Sequence, residues 1–167
     1  LFKLGYSKFM RKKKDEAKVN FNELLQRKSD YKVPATYYYS HIAYEEGKYQ
    51  TALVGFRSIS KSKMFKSIIP YYITQILYQQ HKYNDLIAYA PVYIDSVIEK
   101  RKGEFAKLIG DSYYKNQDYI KAIDYYKAFK KYAKADRESN YQVAFSYYKL
   151  GNFEKAISLF SRVVYKS

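Results

Sequence analysis

The sequence predicts an all-α protein made of helical hairpins in series, and three features lead to that prediction. Apolar residues recur at three- and four-residue spacing, which is the pattern of a helix buried on one side. Short polar turns such as Gln117-Asp118 interrupt this pattern at intervals. The whole arrangement then returns about every 35 residues along the chain.

The clearest hairpin covers residues 108–126, and the rest of the chain can be aligned on it. We expect Gly110 and Ala122 to lie where the two helices approach most closely, because small side chains permit a short distance between helix axes. The apolar stripe of this hairpin contains Ile109, Tyr113, Tyr119, Ile123 and Tyr126. The pattern therefore predicts two amphipathic helices joined by a tight turn.

Aligning the hairpins gives repeating columns of small and aromatic residues. In the second helices the small-residue column contains Ala17, Ala52, Leu86, Ala122 and Ala156, at spacings of 35, 34, 36 and 34 residues. Four positions later stand Phe21, Phe56, Ala90, Tyr126 and Phe160. In the first helices the small-residue column contains Gly5, Ser40, Thr74, Gly110 and Ala144, and four positions later stand Phe9, Tyr44, Tyr78, Tyr114 and Tyr148.

These columns resemble the tetratricopeptide repeat, a helix–turn–helix unit of 34 residues. The resemblance implies a right-handed α-solenoid in a single domain, with five repeats at about 1–33, 34–67, 68–101, 102–135 and 136–167. Two features of the family are missing, namely its Trp near the start of the first helix and its Pro at the repeat boundary. Since the chain begins at Leu1, inside the first predicted helix, we expect it to be a piece of a longer protein.

The ten predicted helices follow one another with short connections. In order they cover 1–12, 15–28, 35–46, 49–61, 67–80, 83–99, 102–116, 118–132, 137–149 and 152–165. Pro34 and Pro70 lie near helix starts, where the missing N–H group costs least. Pro91 falls inside the sixth helix and predicts a kink or break around 89–91, while Asp15 is placed to cap the second helix.

Composition excludes several kinds of functional site. The chain has no Cys, so disulfides, thiolate metal ligands and Cys nucleophiles are excluded. Its two histidines, His41 and His81, lie in different repeats, and Glu45 is the one carboxylate spaced to join His41 on a metal. We therefore predict no catalytic residue, no metal site and no cofactor, and we expect both histidines to be solvated. No run of about 18 apolar residues could span a membrane.

The resemblance places the first helix of each repeat on the concave face of the solenoid. The stripe predicted to face this groove contains Tyr37, His41, Tyr44, Tyr71, Gln75, Tyr78, Lys107, Asp111, Tyr114, Tyr141, Phe145 and Tyr148. Rings of this kind suit a bound peptide or partner protein, because they give large contact area at low entropic cost. Packing against the neighbouring repeat is the alternative role, and it is favoured for Tyr44, Tyr78, Tyr114 and Tyr148.

Some family members hold a C-terminal carboxylate with a Lys and Asn clamp, but the matching positions here carry Tyr37, His41, Tyr71 and Gln75, so the clamp is absent.

The net charge of +15 brings polyanions into consideration. Most lysines fall on second helices or turns, away from the predicted groove, which disfavours nucleic acid as the partner. The four consecutive cations Arg11, Lys12, Lys13 and Lys14 are the candidate contact for an anionic surface. The sequence thus predicts a non-catalytic protein–protein interaction scaffold, with an RNA- or anionic-polymer-binding solenoid as the alternative.

Two further expectations concern assembly and location. The last helix has no polar partner helix after Val163 and Val164, so we expect either that more repeats follow in the parent protein or that this end docks on another chain. The second alternative predicts end-to-end self-association through these residues and Phe160. The abundance of Tyr and Lys is similar to that of Bacteroidetes-type cell-envelope repeat proteins. That similarity favours a bacterial periplasmic or outer-membrane-associated location.

Overall fold

The computed structural model describes residues 1–164, and within that range all regular structure is helical. The ten α-helices are α1 Phe2–Met10, α2 Lys14–Leu25, α3 Lys32–Glu45, α4 Tyr49–Ser58, α5 Ile69–Gln79, α6 Tyr83–Tyr89, α7 Lys102–Lys115, α8 Tyr119–Tyr132, α9 Arg137–Lys149 and α10 Phe153–Val164. The number and order of helices agree with the sequence prediction, and most boundaries agree within one residue. The predicted last helix extends to residue 165, which lies outside the described residues.

The helices form two compact units, one covering Leu1–Ile76 and the other Leu77–Ser167. In the first unit α1 packs on α2, α2 on α3, and α3 on α4. In the second unit each helix from α6 to α10 packs on the next. Each unit is thus a run of antiparallel hairpins, while a single domain over 1–167 stays a prediction.

Small residues meet aromatic rings inside both units, as the columns predict. A Cβ atom at Gly5 would lie 3.0 Å from Cε1 of Phe21, and one at Gly110 would lie 3.1 Å from the ring of Tyr126. Both rings are fully buried. The helices can approach this closely only because the facing position has no side chain.

All five hairpins turn in the same way. One residue per turn has a positive φ, and these residues are Lys12 (61°), Gly47 (73°), His81 (56°), Gln117 (62°) and Gly151 (76°). The next residue donates a backbone hydrogen bond back into the preceding helix, as from Lys48 N to Ala43 O (2.8 Å). In this C-cap motif, a single residue in the left-handed conformation turns the chain so that the following backbone N–H groups bond to the last carbonyl groups of the helix. His81 is exposed in its turn, as predicted.

The break at Pro91 is confirmed. Helix α6 ends at Tyr89, and short 3-10 helices at Pro91–Tyr93 and Glu99–Arg101 replace the helix predicted over 83–99. The predicted cap at Asp15 is wrong, because Lys13 occupies the cap position without a side-chain bond and Asp15 lies in the first turn. Side-chain caps occur instead at Asp118, which accepts from Lys121 N, and at Asp136.

Candidate partner-binding surface

In the first unit, the predicted groove residues Tyr37, His41 and Tyr44 lie on one side of α3 and are half-buried. Tyr72 of α5 stands between them. Its ring centroid is 5.1 Å from that of His41, 5.4 Å from Tyr44 and 6.3 Å from Tyr37. The three side chains are therefore brought together by packing on a common ring.

The sequence reasoning missed Tyr72 and also Phe65, which stacks on Tyr37 with centroids 4.1 Å apart and ring planes within 5°. Tyr72 itself stacks on the buried Phe56 at 5.1 Å. Tyr71 and Tyr72 are consecutive, so their side chains point about 100° apart around α5. Which of the two rings faces α3 depends on how α5 is rotated, and the sequence pattern does not define that rotation.

His41 is not solvated, contrary to the prediction. It packs against the rings of Phe9, Tyr37 and Tyr72, with centroids 5.1–6.2 Å away. Burial lowers the pKa of His41, and the nearby Lys14 ammonium adds to that effect, while Glu45 opposes it. His41 Nδ1 lies 3.6 Å from Glu45 Oε2, but the same oxygen also pairs with Lys14 Nζ at 3.1 Å. The carboxylate is thus neutralised by a lysine.

Tyr71 and Gln75 are buried, so the prediction that they line an open groove is wrong for the described structure. Gln75 Nε2 donates a hydrogen bond to the Tyr71 hydroxyl at 3.0 Å. The Tyr71 ring also meets Tyr72 edge-on, with centroids 5.3 Å apart. Both residues belong to the packing of α5.

In the second unit, the predicted groove residue Asp111 is likewise buried, which corrects its predicted exposure. The Tyr126 hydroxyl donates to Asp111 Oδ1 at 2.7 Å and lies 2.8 Å from Gln142 Oε1. Burial raises the pKa of Asp111, although the Tyr126 hydrogen bond and the Lys107 charge oppose this. Burial and the Asp111 carboxylate raise the pKa of the half-buried Tyr78. These residues form a polar cluster inside the repeat packing.

Lys107 lies at the edge of this cluster and is half-buried. Its ammonium pairs with the carboxylate of Asp136 and lies 3.5 Å from Glu138 Oε2. Burial alone would lower the pKa of Lys107, but the hydrogen bond to Asp136 and the charges of Asp111, Asp136 and Glu138 raise it overall. Lys107 is therefore engaged within the chain.

Four of the remaining predicted residues, together with Tyr119 and Phe153, form a continuous aromatic surface, here called the α9 ridge, which consists of Tyr114, Tyr119, Tyr141, Phe145, Tyr148 and Phe153. Phe145 is its centre, with centroids 6.0–6.3 Å from those of Tyr114, Tyr119, Tyr141 and Tyr148. Tyr148 continues to Phe153 of α10 at 5.7 Å. Tyr141 is 47% exposed and Tyr148 51% exposed, so the ridge is open to a partner. Sequence reasoning missed Tyr119 and Phe153, because both begin second helices and the groove was predicted from first helices alone.

The basic turn Arg11–Lys14 is exposed, as an anionic-surface contact requires. Lys13 pairs with Glu16 at 3.3 Å and Lys14 with Glu45 at 3.1 Å. Two of the four charges are therefore already balanced within the chain.

The part of the chain that the structure describes contains no group of three or more His, Asp or Glu side chains able to hold a metal ion. Across residues 1–164, every helix is too short or too polar to cross a membrane.

Comparison with known proteins agrees with this geometry. The tetratricopeptide repeat family matches residues 1–28 and 138–167. No curated protein matches the sequence.

Among solved structures, the chain is similar to YrrB, described as a TPR protein with an unusual peptide-binding site, at 13% identity and a TM-score of 0.81, covering 98% of this chain and 82% of that one. It is also similar to MamA from Desulfovibrio magneticus RS-1, at 14% identity and a TM-score of 0.76, covering 97% and 90%. A third match is the C-terminal part of a TPR repeat-containing protein from Cytophaga hutchinsonii, at 22% identity and a TM-score of 0.71, covering 98% and 64%. These structures share the α-solenoid fold, and the tetratricopeptide repeat family matches a segment at each end of the chain.

Proposed function

We propose that the protein is a non-catalytic scaffold for protein–protein interaction that binds a peptide or partner protein through the aromatic side of its first helices. The α9 ridge carries this proposal. A protein in water seldom leaves adjoining rings such as Tyr141 and Tyr148 about half exposed unless that surface is used. Tyrosines also provide contact area and a hydroxyl with little loss of side-chain entropy. The peptide-binding site named for YrrB supports the same use of the fold.

The test is capture of a partner by the α9 ridge. Cross-linking in cells of the source organism, followed by mass spectrometry, would identify partners of the wild-type protein and of a Tyr141→Ala/Tyr148→Ala variant. We expect the principal partner to be lost with the double variant. The matched control is Tyr132→Ala, because Tyr132 is an exposed tyrosine on α8 outside the ridge. This variant should still capture the principal partner.

Unchanged capture by the ridge variant would overturn the proposal. Capture that nuclease treatment or raised salt abolishes would favour the alternative, a solenoid that binds RNA or another anionic polymer. One observation supports this alternative, since Arg11 and Lys12 are exposed and form no ion pair within residues 1–164. Phosphate contacts weaken steeply with salt, whereas contacts to the aromatic ridge should change little.

We also propose end-to-end association through α10. Helix α8 buries Ile123, Tyr126 and Phe129 in its own unit, where it packs on α7 and α9. The corresponding positions of α10 are Ile157, Phe160 and Val163, and Ile157 is 67% exposed against 4% for Ile123. Helix α10 thus exposes the face that corresponds to the packed face of α8. We propose that a first helix of another copy binds to this face.

Sedimentation velocity over a range of concentrations tests the association. We expect the wild-type protein to gain larger species as concentration rises and an Ile157→Asp variant to remain monomeric. Val54→Asp is the matched control, because Val54 is a similarly exposed apolar residue on α4. A wild-type protein that is monomeric at the highest concentration would remove the proposal.

A further inference from the structure

A second aromatic surface, distinct from the α9 ridge, forms a cleft in the first unit. It has a volume of about 480 Å³ and is lined by eight residues: Phe2 and Tyr6 of α1, Asp30 and Tyr31 just before α3, Pro34 and Tyr38 of α3, and Met64 and Phe65 from the segment before α5. None of these eight side chains belongs to the groove that the sequence predicts. The volume is enough for one or two bulky side chains, but it is small for a folded partner element.

The mouth of this cleft leaves large apolar side chains in water. Met64 is 67% exposed and Tyr31 is 49% exposed. Methionine is flexible and polarisable, so it adapts to different apolar side chains and is common at peptide-binding surfaces. The cleft therefore has the features of a socket for an apolar anchor residue.

The rings of the cleft stack mainly on one another. Phe2 stacks on Tyr31 at 5.1 Å, Phe65 stacks on Tyr37 at 4.1 Å, and Tyr38 stacks on the buried Phe21 at 5.5 Å. Ring faces that are already stacked offer little platform for nucleic-acid bases, which bind by lying on open faces. The faces buried in these stacks are closed to a base, while Met64 and the exposed part of Tyr31 can contact an apolar side chain.

Lysines stand next in sequence to four of the cleft residues. These are Lys3 beside Phe2, Lys32 beside Tyr31, Lys63 beside Met64 and Lys66 beside Phe65, and all four are exposed. Each of these lysines is the immediate chain neighbour of a lining residue, so the exposed charges next to the cleft are mainly positive. By contrast, Lys8, Lys13, Lys14, Lys18 and Lys48 of the same unit each pair with a glutamate.

The charges around the cleft are therefore uncompensated. Within residues 1–164, no ion pair involves Lys3, Lys32, Lys63 or Lys66, and the lining contains a single carboxylate, that of Asp30. An apolar socket with a basic rim is complementary to an apolar side chain carried on an acidic segment.

We propose that this cleft binds an extended segment of a partner protein in which a bulky apolar residue is flanked by Asp or Glu. The apolar residue enters between Phe2, Pro34 and Met64, and the flanking carboxylates meet the four lysines. This inference rests on the proposed scaffold function and adds the chemical class of one ligand to it. The α9 ridge and the cleft lie in different units and can be tested separately.

Selection from a random peptide display library tests the proposal without knowledge of the partner. The wild-type protein should enrich sequences with a bulky apolar residue next to Asp or Glu. Binding of a selected peptide, measured by fluorescence anisotropy, should weaken at least tenfold in Met64→Asp and several-fold in Lys63→Glu/Lys66→Glu. The effect of the double variant should shrink as salt rises, because the lysines are exposed.

Matched controls exist in the second unit. Val92→Asp places the same charge on an exposed apolar residue, and Lys130→Glu/Lys134→Glu makes the same change in net charge. Both controls should bind the selected peptide as the wild type does. Circular dichroism of all variants should be unchanged, since every substituted side chain is exposed.

Three results would overturn the proposal: no enrichment over the naive library, enrichment of neutral or basic sequences, or binding that Met64→Asp leaves unchanged. Tighter binding of a mixed single-stranded oligonucleotide that displaces the peptide would assign the cleft to nucleic acid instead. If Tyr141→Ala/Tyr148→Ala abolishes partner capture while the cleft variants change nothing, the scaffold function stands and the cleft proposal fails. If the cleft variants abolish partner capture and Tyr141→Ala/Tyr148→Ala does not, the proposed role of the α9 ridge fails and the cleft proposal stands.

Discussion

The two units solve the same packing problem with different side chains. At the aromatic position of the second helix, the first unit has Phe21 and Phe56, whereas α8 of the second unit has Tyr126. All three rings are fully buried, and both Phe21 and Tyr126 press on a glycine of the facing helix. The added hydroxyl of Tyr126 needs a partner, and Asp111 accepts from it at 2.7 Å. One oxygen atom thus converts an apolar contact into a buried polar cluster.

The largest expected effect comes from emptying this position in either unit. Phe21→Ala and Tyr126→Ala should each lower the free energy of unfolding by about 3–5 kcal/mol, because a buried ring is replaced by a cavity. Tyr126→Ala should be the more harmful, since it also leaves Asp111 buried without its donor. Urea denaturation followed by circular dichroism measures both. The control Phe153→Ala removes an exposed ring and should change stability by no more than about 0.5 kcal/mol.

Exchanging the two rings gives the next largest effect and sharpens the comparison. Phe21→Tyr should lower the free energy of unfolding by about 1–3 kcal/mol, because it buries a hydroxyl without an acceptor. Tyr126→Phe should lower it by a similar amount at neutral pH, because Asp111 loses its hydrogen bond. Tyr132→Phe, which removes an exposed hydroxyl, is the control. A gain in stability from Tyr126→Phe would contradict the assigned role of Asp111, and a gain from Phe21→Tyr would mean that its hydroxyl finds an acceptor.

The pH dependence of stability should have opposite signs in the two units. Burial lowers the pKa of His41, so its contribution is present above the unfolded value of 6.5 and is lost as pH falls through the folded pKa. Burial raises the pKa of Asp111, so its contribution is present below the unfolded value of 3.8 and is lost as pH rises through the folded pKa. Urea midpoints measured from pH 4 to 8 test this. On acidification, the midpoint of His41→Phe should fall less than that of the wild type. The midpoint of Asp111→Asn should fall more, because the stabilising effect of Asp111 at low pH is absent.

Asn is a fair replacement because its Oδ1 can still accept from Tyr126. If Asp111→Asn and the wild type show the same pH profile, Asp111 does not titrate differently on folding. If His41→Phe keeps the wild-type loss on acidification, another group is responsible for it.

The smallest expected effects concern ion pairs at the surface. In the first unit Lys18 pairs with Glu46 at 2.5 Å, and Lys18→Met should lower the free energy of unfolding by less than about 1 kcal/mol. Lys107→Met in the second unit should cost more, because Lys107 faces Asp136, Glu138 and the buried Asp111. Urea denaturation followed by circular dichroism measures both costs. Equal costs would mean that Lys107 does not stabilise the polar cluster.

Much of the fold was predictable because it depends on local patterns. The small and aromatic columns predicted the number of hairpins and the close approach of the helices at Gly110, and Pro91 predicted the break after Tyr89. Each of these depends on residues close in sequence or on a steric property of one residue. The same reasoning misplaced the cap at Asp15, because the helix began one residue before Asp15 and so moved it inside the first turn.

The candidate surface was predicted less well than the fold. Tyr141, Phe145 and Tyr148 do lie together, and Tyr141 and Tyr148 are exposed, but Tyr71, Gln75 and Asp111 are buried by neighbours that the periodicity does not identify. The cleft of Phe2, Tyr31 and Met64 could not be found from one helix stripe, since its walls come from two helices and an irregular segment.

The sequence by itself determined the hairpins, their order and the close contacts between small residues and rings. These follow from side-chain size and helical period, which every residue carries wherever it is placed. The tertiary structure decided which of the many tyrosines are buried, which lysines are paired and where rings remain open to water. Those properties depend on what lies opposite each side chain in space, and the opposite residue is often some thirty positions away, as Asp136 is from Lys107.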